Sequence, residues 1–277
     1  MKDLLLNFLQ GVARRASAGL GRESWPVRVA RPLYESSLNF FAQDGGVPWE
    51  VNGETYRIDS RYRHMFGPDY EAAVARFLQH RVRPGDVIFD VGANVGVYVL
   101  QLARWTSGDC RIVAFEPNPA ARVVLERHLA MNALSDRVLV VPSAVSDQSG
   151  AEILWSSGED GMARLGRPNA LLREGIEGHK VSVTTLDDFV ASTRTDPRWI
   201  LMDIEGFEVS ALRGARGLID RLKGKLDLVV ELHPRLWDGV GTPRAEFEKL
   251  LSELRLNIEP ITGQEDPLAE YGHVLLS

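Results

Sequence analysis

Apolar positions along this chain fall into short blocks that alternate between two spacings. Residues 87–91, Val-Ile-Phe-Asp-Val, form a compact run after the turn pair Pro84-Gly85, and the segment beyond Gly92 and Gly96 stays apolar to Ala103. That order predicts strand, tight turn and helix. Residues 111–116 predict a second strand, after which Asn118 suits an N-cap and Pro119 the first position of a helix reaching Asn132. Runs at 138–141, 199–202 and 226–232 predict three more strands. Within 70–80, Ala73, Val74, Phe77 and Leu78 share a helical face, and after the fourth strand Ala211, Leu212, Ala215, Leu218, Ile219 and Leu222 predict one continuous helix. Strands alternating with helices imply a doubly wound α/β domain around a parallel sheet. Near the end, Thr242 predicts a cap and Pro243 the first position of a helix carrying Phe247, Leu250, Leu251 and Leu254; residues 256–261 and 271–276 predict a closing antiparallel hairpin.

Two regions depart from the alternation. Residues 152–155 and 180–184 read as strands, with a short helix at 186–191 after them. They enclose a loop, 156–178, long enough to be functional, whose expected ligand-facing residues are Asp160, Met162 and Arg164. The first 69 residues read as a helical extension ahead of one catalytic domain over 70–277. In it Leu5, Phe8, Leu9 and Val12 share a helical face suited to packing on the domain or on a second copy, which leaves a homo-oligomer open. An irregular lead-in follows, with Pro26, Pro32 and Pro48, then a hairpin over 49–58 turning at Asn52-Gly53. The apolar run near the start is too short to span a membrane and lacks a secretory cleavage pattern, so a cytoplasmic location is expected. A net charge of −6 and a pI near 5.6 supply no electrostatic reason to bind nucleic acid, and one cysteine, Cys110, excludes an internal disulfide framework.

The glycine turn narrows the ligand. Neither G-x-G-x-x-G nor G-x-x-x-x-G-K-[ST] is present, so a pyrophosphate is a poor fit, and the glycines are expected to let a ligand approach the main chain. Asp90 just before the turn would repel phosphate and suit a ligand bearing an ammonium and a sulfonium, as S-adenosylmethionine does. Gly92, Ala93, Asn94 and Gly96 would form the turn around it. Glu116, ending the second strand, is placed to accept hydrogen bonds from a ribose diol. The segment 142–147 would lie over the adenine, with Ser143 and Ala144 against its edge. Asp203, Glu205, Glu231 and His233 fall at the carboxyl ends of neighbouring strands, where ligands bind in such sheets, and Glu71 either faces that crevice or only complements a helix dipole.

Four blocks in order, VIFDVGANVG (87–96), VAFEPNP (113–119), LMDIEGFE (201–208) and VVELHP (229–234), with TTLDDF (184–189) before the third, resemble the FkbM-type family of S-adenosylmethionine-dependent methyltransferases. The resemblance covers roughly 70–276. It implies a class I methyltransferase, Rossmann-like fold with a seven-stranded, mostly parallel sheet ending in an antiparallel hairpin, and methyl transfer to a hydroxyl of a small molecule, sugar, glycan or other natural product. It carries Asp90, Gly92, Asn94, Gly96 and Glu116 over as the cofactor site. For the acceptor proton, His233 is the first choice of base and Asp203 the second, with Glu205 orienting the acceptor or His233 and with Glu231 and Glu71 on the substrate side. A divalent ion held by Asp203 and Glu205 stays open, although no complete ligand set is visible. Two other classes compete: a nicotinamide dehydrogenase on a related sheet, and a non-catalytic subunit that binds S-adenosylmethionine.

Overall fold

The computed structural model describes residues 24–42, 45–158, 162–166 and 175–277, with isolated positions among the first 21. The expected face of Leu5, Phe8 and Leu9 lies outside the described residues. Two compact units emerge, one made of residues 1–70 with 127–133 and the other of 71–126 with 134–277. Among the described residues no helix is long and apolar enough to cross a membrane.

In the first unit, the expected irregular lead-in is instead a helix, α1 (Trp25–Ala42). Pro26 sits in its first turn, where no intrahelical N–H bond is required, and Pro32 costs one bond on an exposed face. Leu38 and Ala42 are buried, and Glu35 pairs with Arg63. The hairpin of β1 (Val47–Val51) and β2 (Glu54–Ile58) forms as expected, because Asn52 and Gly53 both adopt positive φ, 50° and 79°, which the tight two-residue turn requires. Asn132 brackets the Arg57 backbone, accepting from its N–H at 2.9 Å and donating to its carbonyl at 2.6 Å, and His128 Nε2 accepts from the Asp59 N–H at 3.0 Å.

The chain from residue 71 on runs α2 (Ala72–Gln79), β3 (Val87–Val91), α3 (Val97–Trp105), β4 (Arg111–Phe115), α4 (Pro119–Met131, its residues from 127 on belonging to the first unit), β5 (Val138–Val141), β6 (Ser143–Val145), β7 (Gly150–Ser156), β8 (Arg164–Leu165), β9 (Glu177–Thr184), α5 (Leu186–Thr193), β10 (Trp199–Met202), α6 (Glu208–Arg213), α7 (Arg216–Arg221), β11 (Asp227–Leu232), α8 (Pro234–Trp237), α9 (Arg244–Leu254), β12 (Ile258–Pro260) and β13 (Gly272–Leu276). Seven strands form one sheet in the order β12-β13-β11-β10-β3-β4-β5, all parallel except β13. This is the seven-stranded, mostly parallel sheet with a closing antiparallel hairpin that the resemblance implies. All four residues of β10 are buried, as a central strand covered on both faces requires. Chain order reverses between β3 and β10, so the crevice at their carboxyl ends is the topological switch point.

A separate four-stranded sheet, β6-β9-β7-β8, accounts for the break in alternation. Residues 143–145 of the segment expected to lie over the adenine enter it as β6, paired with β9. The single helix expected after β10 is broken at Gly214 into α6 and α7. A Cβ at Gly214 would overlap the Ser146 carbonyl, and the Gly214 carbonyl accepts from the Asp187 N–H at 2.9 Å, so the chain bends to admit its neighbours. Thr242 does not cap α9: Pro243, extended at φ −68° and ψ 153°, is the N-cap, and no side chain satisfies that end.

Candidate functional site

The turn after β3 is held from β4. The N–H groups of Gly92 and Ala93 both donate to the Phe115 carbonyl, at 3.0 and 3.1 Å. Gly92 has φ +91°, and a Cβ there would overlap the Asp203 carbonyl oxygen; Gly96, also at φ +91°, would place one against Leu125. The glycines therefore permit a sharp turn, as expected, but the space they free is filled by protein and not left for ligand. Gly96 and buried Ala93 are scaffolding of the turn.

Glu116 organises the opposite rim. One carboxylate oxygen accepts from the Asn94 N–H at 2.6 Å and the other from the Asn118 N–H at 2.7 Å, which ties the β3 turn to the start of α4. Each oxygen keeps a second lone pair. Asp90 is buried and its Oδ2 has no hydrogen-bond partner, nor has Oδ1 of Asn94. Burial first, then the nearby carboxylates of Glu116 and Glu71, push Asp90 up to about 7. At Glu116 burial outweighs the two N–H bonds and also pushes the carboxyl up to about 7. Buried acceptors without donors are costly, and a ligand bearing N–H groups would relieve them.

The crevice brings Gly92, Asn94, Glu116, Ser143, Ala144, Asp203 and Glu205 together, with Leu154, Ala163, Leu165 and Phe207 as apolar wall. Arg164 does not line it. On a strand successive side chains point to opposite sides, so Ala163 and Leu165 face the crevice while Arg164 turns away and donates to the Leu236 carbonyl at 3.2 Å. Met162 is not in the lining either, and Asp160 lies outside the described residues.

Beyond the ends of β10 and β11 lies a cluster of acids and histidines. Glu208, fully buried, accepts from the Trp237 indole at 2.9 Å and from the Gly206 N–H at 2.8 Å, and lies 2.7 Å from Nδ1 of His233. Because a carboxylate only accepts, Nδ1 carries the proton and Nε2 faces Glu231, Asp203 and Glu205 at 3.7, 3.9 and 4.0 Å. Burial alone would lower the His233 pKa, but Glu208, then Glu205 and Glu231, outweigh it and raise the value. The Asp203 side chain lines the crevice and keeps 46% exposure; desolvation by the protein packed around it, then Glu231 and Glu205, hold its carboxyl well above the usual range. Desolvation also raises Glu205. Glu71 stands at the N-cap position of α2 but makes no side-chain capping bond: in the left-handed region at φ 42°, it accepts from the Tyr98 hydroxyl and lies 3.1 Å from Nε2 of His273. Glu231 in turn accepts from the Tyr271 hydroxyl.

Of the two carboxylates left open as a cation site, Asp203 falls in a converging group of three donors and Glu205 does not. Among the described residues the donor sets that converge within 4.8 Å are Asp203, Glu231 and His233, and Glu71, Glu231 and His273. Glu208, Tyr271 and His273 were missed from the sequence. Glu208 closes the LMDIEGFE block and was open to notice; no spacing links Tyr271 or His273 to the rest.

A model of the methyltransferase FkbM domain matches residues 90–259. The chain belongs to the FkbM methyltransferase family. The hexuronic acid methyltransferase AglP of Haloferax volcanii is 29% identical over 200 residues, 68% of this chain and 71% of that protein. The 31-O-demethyl-FK506 methyltransferase FkbM of Streptomyces tacrolimicus is 40% identical over 76 residues, 27% of this chain and 28% of its own length. A solved FkbM methyltransferase from Methylobacillus flagellatus aligns with a TM-score of 0.49 at 19% identity, over 78% of this chain and 52% of that one. For this FkbM-family chain the dehydrogenase alternative falls away.

Proposed function

We propose that this chain is an S-adenosylmethionine-dependent O-methyltransferase acting on a hydroxyl of a sugar, glycan or other natural product, with residues 70–277 as its catalytic domain and 1–69 as an extension. The observation that carries the cofactor is the buried, unpartnered Oδ2 of Asp90 beside the glycine turn, with Glu116 ending the next strand. The names of the two curated relatives support the acceptor class: one acts on a hexuronic acid, the other on an oxygen of FK506.

Asp90 would receive the ammonium of the cofactor, Glu116 the ribose diol, and Ser143 and Ala144 the edge of the adenine. Bound there, the cofactor would supply an electrophilic methyl group on a sulfonium, with an uncharged thioether as its leaving group. The protein has to align that oxygen and exclude water. His233, turned by Glu208 so that Nε2 faces Asp203 and Glu205 in the crevice wall, takes the hydroxyl proton, while those two carboxyl groups orient the acceptor. Calorimetric titration with S-adenosylmethionine and, separately, NAD tests the reading. Selective binding of the sulfonium cofactor, weakened in Asp90→Ala and Glu116→Ala, is the expected result; no binding, or a preference for NAD, would sink it.

A further inference from the structure

Helix α1 carries four of the eight large apolar side chains that are exposed among the described residues: Trp25, Val29, Leu33 and Phe40, at 76, 66, 73 and 68% relative exposure. The first three follow one another at four-residue spacing, so they form a stripe about 12 Å long on one face. Phe40, seven residues beyond Leu33, continues that face. The helix is held to its own unit from the other side: Leu38 is buried and, nine residues after Val29, lies half a turn round from it. Polar residues at 25, 29 and 33 would leave the packing of Leu38 untouched, yet the chain keeps apolar ones there, gathered together. An apolar patch of this kind marks a surface that is covered in use.

Charge around the stripe selects what covers it. Arg28 borders it, one residue before Val29, and Arg31 adds its charge from farther round the helix; both are exposed, and among the described residues neither is held in an ion pair. Glu35, the acid of this helix, is committed to Arg63. Residues 1–70 with 127–133 hold ten Lys and Arg against eight Asp and Glu, a positive balance within a chain whose net charge is −6. A second copy packed antiparallel on the stripe would set Arg28 of both helices along one edge with no acid of α1 left to receive them, which like charges oppose. Anionic headgroups over an apolar interior are the complement: acyl chains match the stripe and phosphates match the arginines. Trp25 at the end of the stripe suits that boundary, since its indole joins an apolar body to one N–H donor.

We propose that the face of α1 formed by Trp25, Val29 and Leu33 docks on an anionic lipid surface, with these side chains among the acyl chains and Arg28 at the headgroup phosphates. The helix lies in the plane of that surface and does not cross it. Docking of this kind uses none of the crevice residues and is independent of the methyl transfer proposed above.

Co-sedimentation of the full chain with phosphatidylcholine vesicles containing about a quarter phosphatidylglycerol, and with phosphatidylcholine alone, tests the surface. The expected result is binding to the anionic vesicles that weakens in high salt and is much weaker to the neutral ones. It should fall about tenfold in Trp25→Ser with Leu33→Ser, and about tenfold in Arg28→Glu with Arg31→Glu. All four positions are exposed, so urea denaturation should superpose these variants on the wild type. The tryptophan emission that Trp25→Phe removes should shift to the blue on binding and be quenched by brominated acyl chains. No binding to the anionic vesicles, equal binding to the neutral ones, unchanged binding in the stripe variant, or Trp25 emission left unquenched would each overturn the proposal. So would a dimer in sedimentation velocity that the stripe variant dissociates, because the face would then belong to a second copy.

Discussion

Glu208 and His233 form a buried pair, Oε1 to Nδ1 at 2.7 Å, in which the carboxylate has no exposure at all and is also bonded by Trp237 and Gly206. The pair fixes both the tautomer and the direction of the imidazole. Because Glu208 is the largest influence raising the His233 pKa, the proton-accepting form predominates only above that raised value. The charged pair stabilises the fold fully below the ordinary histidine value and progressively less as pH rises through the raised one. In Glu208→Gln the His233 titration, followed by its ring proton resonance, should move to lower pH. The rising limb of the rate profile should follow it while the maximal rate falls roughly 100-fold. An unmoved titration would remove Glu208 from the mechanism.

Cofactor affinity should depend on pH through Asp90. Its carboxyl titrates near 7 in the free protein, so it is neutral below that value and charged above it. A cationic ligand selects the charged form. Calorimetry from pH 8 to pH 5.5 should show affinity falling as pH drops through about 7, and Asp90→Asn should bind roughly 10- to 100-fold more weakly at pH 8 with a flatter profile. An equally steep profile in the variant would assign the dependence to another group.

Two glycines at similar φ should respond differently to alanine. Gly92, at +91°, has the Asp203 carbonyl where a Cβ would go, whereas Gly53, at +79°, faces open space. Gly53→Ala should cost only the left-handed strain, about 1 kcal/mol, and Gly92→Ala about 3 kcal/mol or more because the crevice must also shift. Urea denaturation measures both, and equal losses would contradict the clash.

Asp59 in the first unit supports acid stability. Burial raises its pKa, but bonds from Arg61 and Arg127 outweigh that and hold it far below the usual carboxylate range. A depressed folded value means the stabilisation is present above the unfolded pKa and lost as pH falls toward the folded one. Asp59→Asn should therefore lower stability by about 1 kcal/mol at pH 7, and the gap should close progressively below about pH 4. A gap unchanged at pH 3 would show that packing and not charge is at stake.

The order of elements in the second unit, the glycine turn, Glu116 on the next strand and the acidic ends of β10 and β11 were legible in the sequence, because strand and helix periods and turn residues are local properties. So was the closing hairpin. Burial, bends and pairing between distant segments were not. Gly214 breaks a helix only because the Ser146 carbonyl presses on it, and Arg164 leaves the crevice only because the pairing of β8 with β7 sets which of its neighbours face inward. α1 forms despite two prolines, one of them in its first turn, where helix hydrogen bonds do not need its N–H. His233 was visible, but its orientation depends on Glu208, 25 residues earlier, and Glu231 meets Tyr271, 40 residues later. Residue order along each strand is enough to bring these chemical groups to the strand ends. Which of them touch is settled by the folded sheet, because hydrogen bonds between side chains far apart in the chain depend on how the sheet closes and not on local spacing.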